Sequence, residues 1–469
     1  MIDQMGSRSS PGRRAIAVML AALLTACTVG PNYSRPDADL PKDYGVAQAQ
    51  VPAPERWWFV FQDPVLDKLV DESLAANRDL RAAAERVEQA RAQVAIARSD
   101  QWPNAGIQYG ASRARSSEKT GIPLPPDAIT TSDHRLVLAA SWELDFWGKY
   151  RRASEAARAE LAASDAGRDA VRNSLVGDVV RGYLTLRALD RRLEILERTR
   201  QGREKSLELQ KLRMDAGVVS ELEYRQVESD LRAAIALVPV VRQSRVAQEG
   251  ALAVLLGRSP REIFAASIAR GDSLNPVVVD VPAGLPSDLL LRRPDIRQAE
   301  ERLHAQNALI GVARAAYFPK ISLTGFFGGE SRSLGDLFSG PARVWSIGGD
   351  LLQPLFASSA IRGGVDLADA RTREAAQIYQ KTIANAFSEV RSALAAQSNL
   401  READLAQQER VRALERTSDL TRLRYDNGAV SLFEFLEAER QLLAARIEAI
   451  DAQRDRRGAI VDLYLALGA

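Results

Sequence analysis

This chain of 469 residues contains very few cysteines and histidines, the residues most often used as nucleophiles, general bases and metal ligands. It has one cysteine, Cys27, and two histidines, His134 and His304. A single cysteine excludes a disulfide within the chain, and one cysteine with two widely separated histidines argues against a Cys/His metal site. The sequence also contains neither a nucleophile elbow nor a glycine-rich phosphate loop. We therefore predict that the protein is not an enzyme, that it needs no cofactor or metal, and that both histidines are surface or packing residues.

The cysteine stands where covalent lipid attachment is expected. Arginines precede the short apolar run 15–26, which predicts an export signal rather than a membrane-spanning helix. The run ends in Leu-Thr-Ala-Cys27, which resembles the bacterial lipobox, and Thr28 in place of aspartate is typical of passage to the outer membrane. We predict acylation of Cys27 and anchorage in outer-membrane lipid. The alternative is an unmodified cysteine in an ordinary signal peptide.

One motif occurs twice and organises the rest of the chain. The segments Arg213–Ala233 and Arg424–Leu443 match at a constant offset of 211 residues (428 − 217), which pairs Gly217 with Gly428, Ser220 with Ser431 and Glu223 with Glu434. Each copy predicts a helix that ends at a glycine, then a serine N-cap with a glutamate three residues on that opens a second helix. The chain is therefore predicted to be a duplicated helical hairpin, with its two tips at one end.

Long helices must position these tips. The stretches 150–214 and 361–425 contain no proline, and each predicts one helix of about 65 residues. Apolar residues at alternating spacings of four and three form a heptad seam in the first of them: Leu175, Val179, Gly182, Leu186, Leu189, Leu193 and Leu196. A return helix follows each tip, and Pro239 predicts a kink in the first return helix.

Each repeat also contains two segments of alternating polarity. They predict strands of about ten residues, the length of a tilted transmembrane strand, at about 104–114, 135–145, 320–328 and 344–353. A soluble hairpin is the alternative for one pair, but the second copy argues against it. Four strands in hydrocarbon would leave unpaired edges, so the chain must oligomerise, and a trimer would close a barrel of twelve strands.

These segments give a domain organisation and a fold class. We predict a signal peptide (1–26), an acylated tether (27–56), a first repeat (57–256, tip near 215–223), a linker (257–290) and a second repeat (291–469, tip near 426–437). The predicted fold is mixed, with a membrane β-barrel and long α-helical coiled coils around a lumen. The strands require oligomerisation, but they do not fix the number of chains. Lysine plus arginine (63) nearly balances aspartate plus glutamate (61), so no nucleic-acid partner is predicted.

With these features in place, the sequence resembles the outer-membrane factor lipoproteins of tripartite efflux systems, of the NodT/OprM type related to TolC. The resemblance runs from residue 24 to the C-terminus and is carried by Cys27 with Thr28-Val29-Gly30-Pro31, Asp63-Pro64, Arg292-Arg293-Pro294-Asp295-Ile296, Phe318-Pro319 and Arg424-Tyr425 with Gly428. It implies a homotrimeric duct with a twelve-stranded outer-membrane β-barrel and a long periplasmic α-helical coiled-coil tunnel. It also implies that the duct works with a periplasmic adaptor and an inner-membrane transporter of the resistance–nodulation–division (RND) class.

The resemblance also implies a periplasmic gate at the tips. Phe433 matches an apolar ring of the family, Glu434 and Glu437 match two carboxylate rings, and Tyr425 matches a tyrosine that bonds to a carboxylate matched by Glu223. Two positions depart from the pattern: Glu437 replaces the usual aspartate, and Val430 replaces an arginine of TolC.

The carboxylates can also be judged without the resemblance. Glu434 and Glu437 share one helix face at spacing i, i+3, so symmetry about an axis would stack rings that favour cations. The alternative is that both are solvated charges flanking a coiled coil. At the level of the whole protein, the alternatives are a duct for type I protein secretion and a structural coiled-coil lipoprotein of the envelope.

Overall fold

The computed structural model describes residues 28–41, 56–119, 125, 129–265, 267–271 and 286–469. The predicted export signal, Cys27 and parts of the tether and of the linker lie outside the described residues. Among the helices of these ranges, none combines the length and the apolar character that a membrane crossing requires.

The chain divides into two compact units, each with segments from both predicted repeats. The sheet unit consists of Met1–Asp37, Val87–Ser164 and Ala299–Tyr379, and the hairpin unit consists of Ala38–Arg86, Asp165–Gln298 and Gln380–Ala469. The helices are α1 (Pro64–Ala76), α2 (Arg78–Ser99), α3 (Lys149–Asp215), α4 (Glu221–Leu255), α5 (Pro260–Ala265), α6 (Pro286–Arg292), α7 (Pro294–Ala315), α8 (Ser358–Asp426) and α9 (Leu432–Ala466). The strands are β1 (Asn104–Arg115), β2 (Thr130–Glu143), β3 (Lys320–Ser331) and β4 (Arg343–Leu352).

The strands of the sheet unit form one antiparallel sheet in the order β1-β2-β3-β4. Within the chain β1 and β4 are therefore edge strands. The register places Ile107 opposite Leu138, Leu138 opposite Phe327, and Phe327 opposite Trp345, so one apolar row crosses all four strands. Directly opposed residues share a face, and alternate residues along a strand face opposite ways.

The two faces of the sheet differ in composition. The apolar face carries the row just described and, in neighbouring rows, Tyr109, Leu136, Trp142, Ile321, Leu323, Ile347 and Leu351. The polar face carries Gln108, Arg135, Ser141, Ser322, Thr324, Glu330, Ser346 and Asp350. Val137 on the polar face is only 3% exposed, whereas Leu138 on the apolar face is 54% exposed. Large side chains of the apolar face, namely those of Ile107, Leu138, Phe327 and Trp345, are thus exposed in this chain, although their exposure to water is costly.

The hairpin unit is held by the predicted heptad seam. Leu175, Val179, Leu186 and Leu196 of α3 are buried. Leu196 packs with Val238 and Val241 of α4, and partly buried Leu443 and Ile447 of α9 cover this cluster. The coiled-coil packing that the spacing predicts is therefore present, and it joins helices from both repeats.

A buried hydrogen-bond network fixes the start of α1. Asp63 caps the helix by accepting hydrogen bonds from the backbone N–H groups of Val65 (2.9 Å) and Leu66 (3.3 Å). The buried Tyr183 hydroxyl donates to the same carboxylate at 2.6 Å and accepts from Gly271 N at 2.9 Å. Burial, and then the bond to Asp63, raise the pKa of Tyr183. This network ties α1, α3 and the segment 267–271 together.

The observed bounds correct the predicted ones in places. β2 begins at Thr130 rather than near residue 135, because Thr130 and the polar residues after it pair with the end of β1. Periodicity of apolar residues does not reveal such a polar extension, and the same holds for β3, which runs on to Ser331. Pro239 lies inside the uninterrupted span of α4. A duplicated chain of helical hairpins with a β-sheet is otherwise found as predicted.

Candidate functional site

Both hairpin tips lie in the hairpin unit and have the same backbone geometry. Gly217 and Gly428 each have φ of 70°. After α3, Val218 N donates to Arg213 O at 2.8 Å, and after α8, Ala429 N donates to Arg424 O at 2.8 Å. This is the Schellman arrangement, in which glycine is favoured because it adopts the left-handed conformation without strain.

Serine N-caps then open the return helices. Ser220 and Glu223 form a complete capping box, in which Ser220 Oγ accepts from Glu223 N and the Glu223 carboxylate accepts from Ser220 N at 2.8 Å. At the second tip Ser431 Oγ accepts from Glu434 N at 3.3 Å and donates to Glu434 Oε1 at 3.3 Å. The motif that repeats in the sequence is thus a repeated local structure.

The two tips pack against each other, as predicted from the repeat. Val227 of α4 forms a buried cluster with Leu432 and Leu436 of α9, and Leu207, Tyr425 and Phe435 pack around it. The rings of Tyr425 and Phe435 are stacked with centroids 5.6 Å apart. One apolar cluster therefore joins α4 and α9 near the tips, and side chains of α3 and α8 pack around it.

The predicted partner of Tyr425 is wrong in this structure. Gln210 Nε2 donates to Tyr425 Oη at 2.9 Å, and among the described residues no hydrogen bond joins Tyr425 to Glu223. Glu223 instead serves the capping box, in which its Oε2 accepts from the N–H and the hydroxyl of Ser220. A hydrogen bond between the two repeats is present at Tyr425, but it is made by the Gln210 amide instead of a carboxylate.

The predicted ring residues lie on the first turns of α9. Phe433 is 59% exposed, and the Arg440 guanidinium lies 5.9 Å from its ring centroid. Glu434 is exposed beside its N-cap serine. Glu437 is partly exposed and accepts from Gln441 Nε2 at 3.0 Å, while Arg440 lies 3.5 Å from it. Within one chain, all three side chains are at least partly accessible to solvent.

A buried ion pair near the tips was missed in the sequence. Asp230 of α4 is 8% exposed and pairs with Arg203 Nε of α3 at 2.8 Å and with Arg440 Nε of α9 at 3.6 Å. Burial raises the pKa of Asp230 and lowers the pKa of Arg203. A signal was present, because Asp230 stands with Val227, Leu231 and Ala234 at the spacing of an apolar helix stripe.

The two histidines lie in the sheet unit. His304 stacks on Tyr33 with ring centroids 4.7 Å apart, and its Nε2 lies 3.3 Å from Glu155. His134 Nδ1 lies 3.0 Å from Tyr109 Oη. No group of three or more His, Cys, Asp or Glu that could hold a metal occurs in the part of the chain that the structure describes.

The residues that follow Cys27 are bound to the sheet unit. Arg152, itself buried, donates to Asn32 Oδ1 at 2.8 Å and to Gly30 O at 3.3 Å. Arg35 forms two hydrogen bonds with Glu300, at 2.6 and 2.8 Å. The segment 28–37 of the predicted tether is therefore docked on the sheet unit, and we call it the strap.

Comparison with known proteins extends over nearly the whole chain. The family model described as outer membrane efflux protein matches residues 69–258 and 285–469. The cation efflux system protein CusC of Escherichia coli O6:H1 is 35% identical over 459 residues, 96% of this chain and 97% of its own. The toluene efflux pump outer membrane protein TtgI of Pseudomonas putida is 34% identical over 473 residues, 97% of this chain and 98% of its own.

A solved structure agrees with both the fold and the family. The outer membrane channel CmeC of Campylobacter jejuni superposes with a TM-score of 0.90 at 30% identity, over 94% of this chain and 95% of that one. These relatives are named as channel and efflux proteins rather than as enzymes. The chain therefore belongs to the outer membrane efflux protein family, and it is an outer-membrane efflux channel.

Proposed function

We propose that three copies of this chain form a passive exit duct. Substrates enter it from an inner-membrane RND transporter through a periplasmic adaptor, and they leave through a barrel of twelve strands in the outer membrane. The hairpin tips form the periplasmic gate, with Phe433, Glu434 and Glu437 around the axis. The N-terminus is acylated at Cys27 and anchors the chain in the same membrane.

The observation that carries this proposal is the four-stranded sheet with one apolar face and two edge strands. An edge strand presents a row of unpaired N–H and C=O groups, each of which costs several kcal/mol in hydrocarbon. Pairing of β4 in one chain with β1 in the next removes both edges. The apolar side chains then face lipid and the polar face lines a lumen, as in membrane barrels.

The strap supports the proposed acylation. Its first described residue is Thr28, directly after Cys27, and Val29 N donates to Trp147 O at 3.0 Å. Trp147 Nε1 in turn donates to Pro319 O, next to the first residue of β3, at 2.8 Å. An acyl chain on Cys27 would thus begin close to the strand ends, where a bilayer surrounding the sheet would end.

The cargo is assigned to the pump rather than to this chain. Relatives of nearly equal identity carry names for cation efflux and for toluene efflux. A duct of one architecture therefore serves cargoes of different chemistry in related systems. We expect the same division here, with a lumen that admits what the transporter delivers.

Two substitutions on neighbouring residues of β4 test the proposal. Ile347→Lys places a charge on the apolar face, and Ser346→Lys places the same charge on the polar face. A lysine facing the middle of the bilayer costs about 2–4 kcal/mol, whereas a lumen lysine costs little. We expect the wild type and Ser346→Lys to appear as trimers in native mass spectrometry and to conduct in planar bilayers, and Ile347→Lys to insert poorly.

Equal insertion of both variants would show that the apolar face does not meet lipid. A stable monomer with full β-sheet content in detergent would contradict closure by three chains. The anchor is tested separately by the intact mass of the protein from membrane fractions. A mature N-terminus without lipid would remove Cys27 from the proposal without affecting the barrel.

A further inference from the structure

The charges of the sheet are segregated by face. All four carboxylates of the strands, Asp133, Glu143, Glu330 and Asp350, lie on the polar face, together with Arg135 and Lys320. The apolar face carries no carboxylate in any of the four strands. Its only ionisable groups apart from tyrosine are Arg113, Arg115, His134 and Arg343.

These basic residues lie at one end of the apolar face. The row that contains Trp345 is wholly apolar. The next row carries Tyr109 and Arg343, the row after it carries His134, and the two beyond carry Arg113 and Arg115. Rows on one face are about 7 Å apart. The sequence of apolar, aromatic and then cationic rows is what a membrane–water boundary selects.

The basic residues lie at the end of the sheet where the hairpin turns connect the strands. β1 leads to β2 and β3 leads to β4 at this end, whereas the helices connect to the strands at the opposite end. In an outer-membrane channel whose helices are periplasmic, the hairpin turns face the cell exterior. The cationic rows then lie at the level of the outer-leaflet headgroups.

The arginines of the two faces differ in their partners. Arg135 on the polar face has Glu330 at 3.7 Å and lies 4.5 Å from the Phe326 ring centroid. Arg113 and Arg343 are exposed, and neither has an ion-pair partner among the described residues. Arg115 pairs at 2.7 Å with Glu118 of the adjoining turn. Arg113 and Arg343 are therefore available to an external anion, and Arg115 adds positive charge beside them.

We infer that this cationic rim, formed by Arg113, Arg115 and Arg343, binds the phosphate groups of phosphorylated lipids in the outer leaflet. Guanidinium groups bind phosphate through paired hydrogen bonds, and they hold it more strongly where water is partly excluded. A lipid beside the sheet offers acyl chains to the Trp345 row and phosphates to the rim at the same time. In a trimer the rim is repeated three times around the barrel. The inference rests on the proposed insertion of the sheet.

Titration in lipid nanodiscs tests the rim. The protein is placed in phosphatidylcholine nanodiscs and titrated with diphosphorylated lipid A and with dephosphorylated lipid A, and the bound lipid is counted by native mass spectrometry. We expect tighter binding of the phosphorylated form by on the order of tenfold, since each arginine near a headgroup contributes a severalfold gain. Arg113→Gln with Arg343→Gln should abolish this preference. Arg232→Gln with Arg261→Gln, which removes two exposed helix arginines, should retain it.

Each outcome is decisive. Equal binding of phosphorylated and dephosphorylated lipid A by the wild type would overturn the inference. This comparison needs no variant, so the test remains valid even if a variant fails to fold. An unchanged preference in Arg113→Gln with Arg343→Gln would also overturn it, as would displacement of lipid A by inorganic phosphate at similar concentration. Conductance in planar bilayers is measured in parallel, because loss of insertion would count against the proposed function and not against the rim.

Discussion

Gln210 Nε2 on α3 donates a hydrogen bond of 2.9 Å to Tyr425 Oη on α8, and this bond joins the last turns before the two tips. The tips can separate only if this contact and the apolar cluster beneath it are broken. The bond thus has the place in the proposed gate that the family resemblance assigned to a Tyr425–Glu223 pair.

Loss of this bond should favour an open tip. Tyr425→Phe keeps the stacking on Phe435 and removes only the hydroxyl, so it should weaken tip contact by about 1 kcal/mol per chain. We expect a higher single-channel conductance or open fraction in planar bilayers. Tyr224→Phe, at the first tip, is the matched control and should behave like wild type. Wild-type gating in Tyr425→Phe would mean that the hydroxyl does not hold the gate.

The carboxylates of α9 should set ion preference. If Glu434 and Glu437 face the axis, then Glu434→Gln with Glu437→Gln removes six charges from a trimer and should lower the cation preference, measured as the reversal potential in a salt gradient. Glu221→Gln with Glu228→Gln removes the same number of charges from the first tip and should have a smaller effect. If both double variants lower the cation preference equally, Glu434 and Glu437 act only through the overall charge of the surface and do not line the pore.

The buried carboxylate of Asp230 should destabilise the tips when its ion-pair partner Arg203 is replaced. Arg203→Met leaves the carboxylate with only Arg440, 3.6 Å away, and should destabilise the tips by about 3–5 kcal/mol. Arg203→Met with Asp230→Leu removes the pair and should restore most of that loss. Hydrogen–deuterium exchange of residues 221–234 is the measurement. Comparable protection in all three proteins would show that the pair has no role in holding the tips.

The pH dependence of Asp230 follows from the direction of its pKa. Burial raises the pKa above 3.8 in the folded protein, so the folded state binds this proton more tightly than the unfolded chain. The contribution of Asp230 to the free energy of unfolding therefore rises as pH falls from the folded pKa towards 3.8. The deficit of Arg203→Met should shrink over this range. A deficit that grows on acidification would contradict the raised pKa.

Two glycines with nearly the same φ should respond differently to substitution. Gly217 has φ of 70° and open space where a Cβ would lie, whereas Gly257 has φ of 71° and its Cβ would lie 2.2 Å from Ala76 O. Gly217→Ala should cost about 1 kcal/mol from backbone strain, and Gly257→Ala should cost more because the end of α1 must move. Gly202→Ala, in open space within α3, should be neutral or stabilising. Thermal unfolding in detergent ranks the stabilities of the three variants. Equal destabilisation by Gly217→Ala and Gly257→Ala would show that the close approach of Gly257 to Ala76 O has no effect on stability.

The sequence by itself determined the elements and their duplication. The glycines and serines at the tips, Gly217, Ser220, Gly428 and Ser431, define local backbone geometry. Such geometry depends on neighbours within a few residues, so it can be predicted without knowledge of the fold. The heptad seam could be predicted for the same reason, because the spacing of its residues along the sequence places them on one helix face. Alternation along the strands likewise assigned apolar residues to one face.

Only the tertiary structure decided which side chains meet. The choice of Gln210 over Glu223 for Tyr425, the pairing of Asp230 with arginines from two other helices, and the docking of residues 28–37 on Arg152 and Glu300 all join segments distant in sequence. Segregation of the strand charges could be seen only once the register of all four strands was known, because a shift by one residue exchanges the faces. Contacts of this kind depend on how the helices and strands pack, and a single sequence does not encode them as a local pattern.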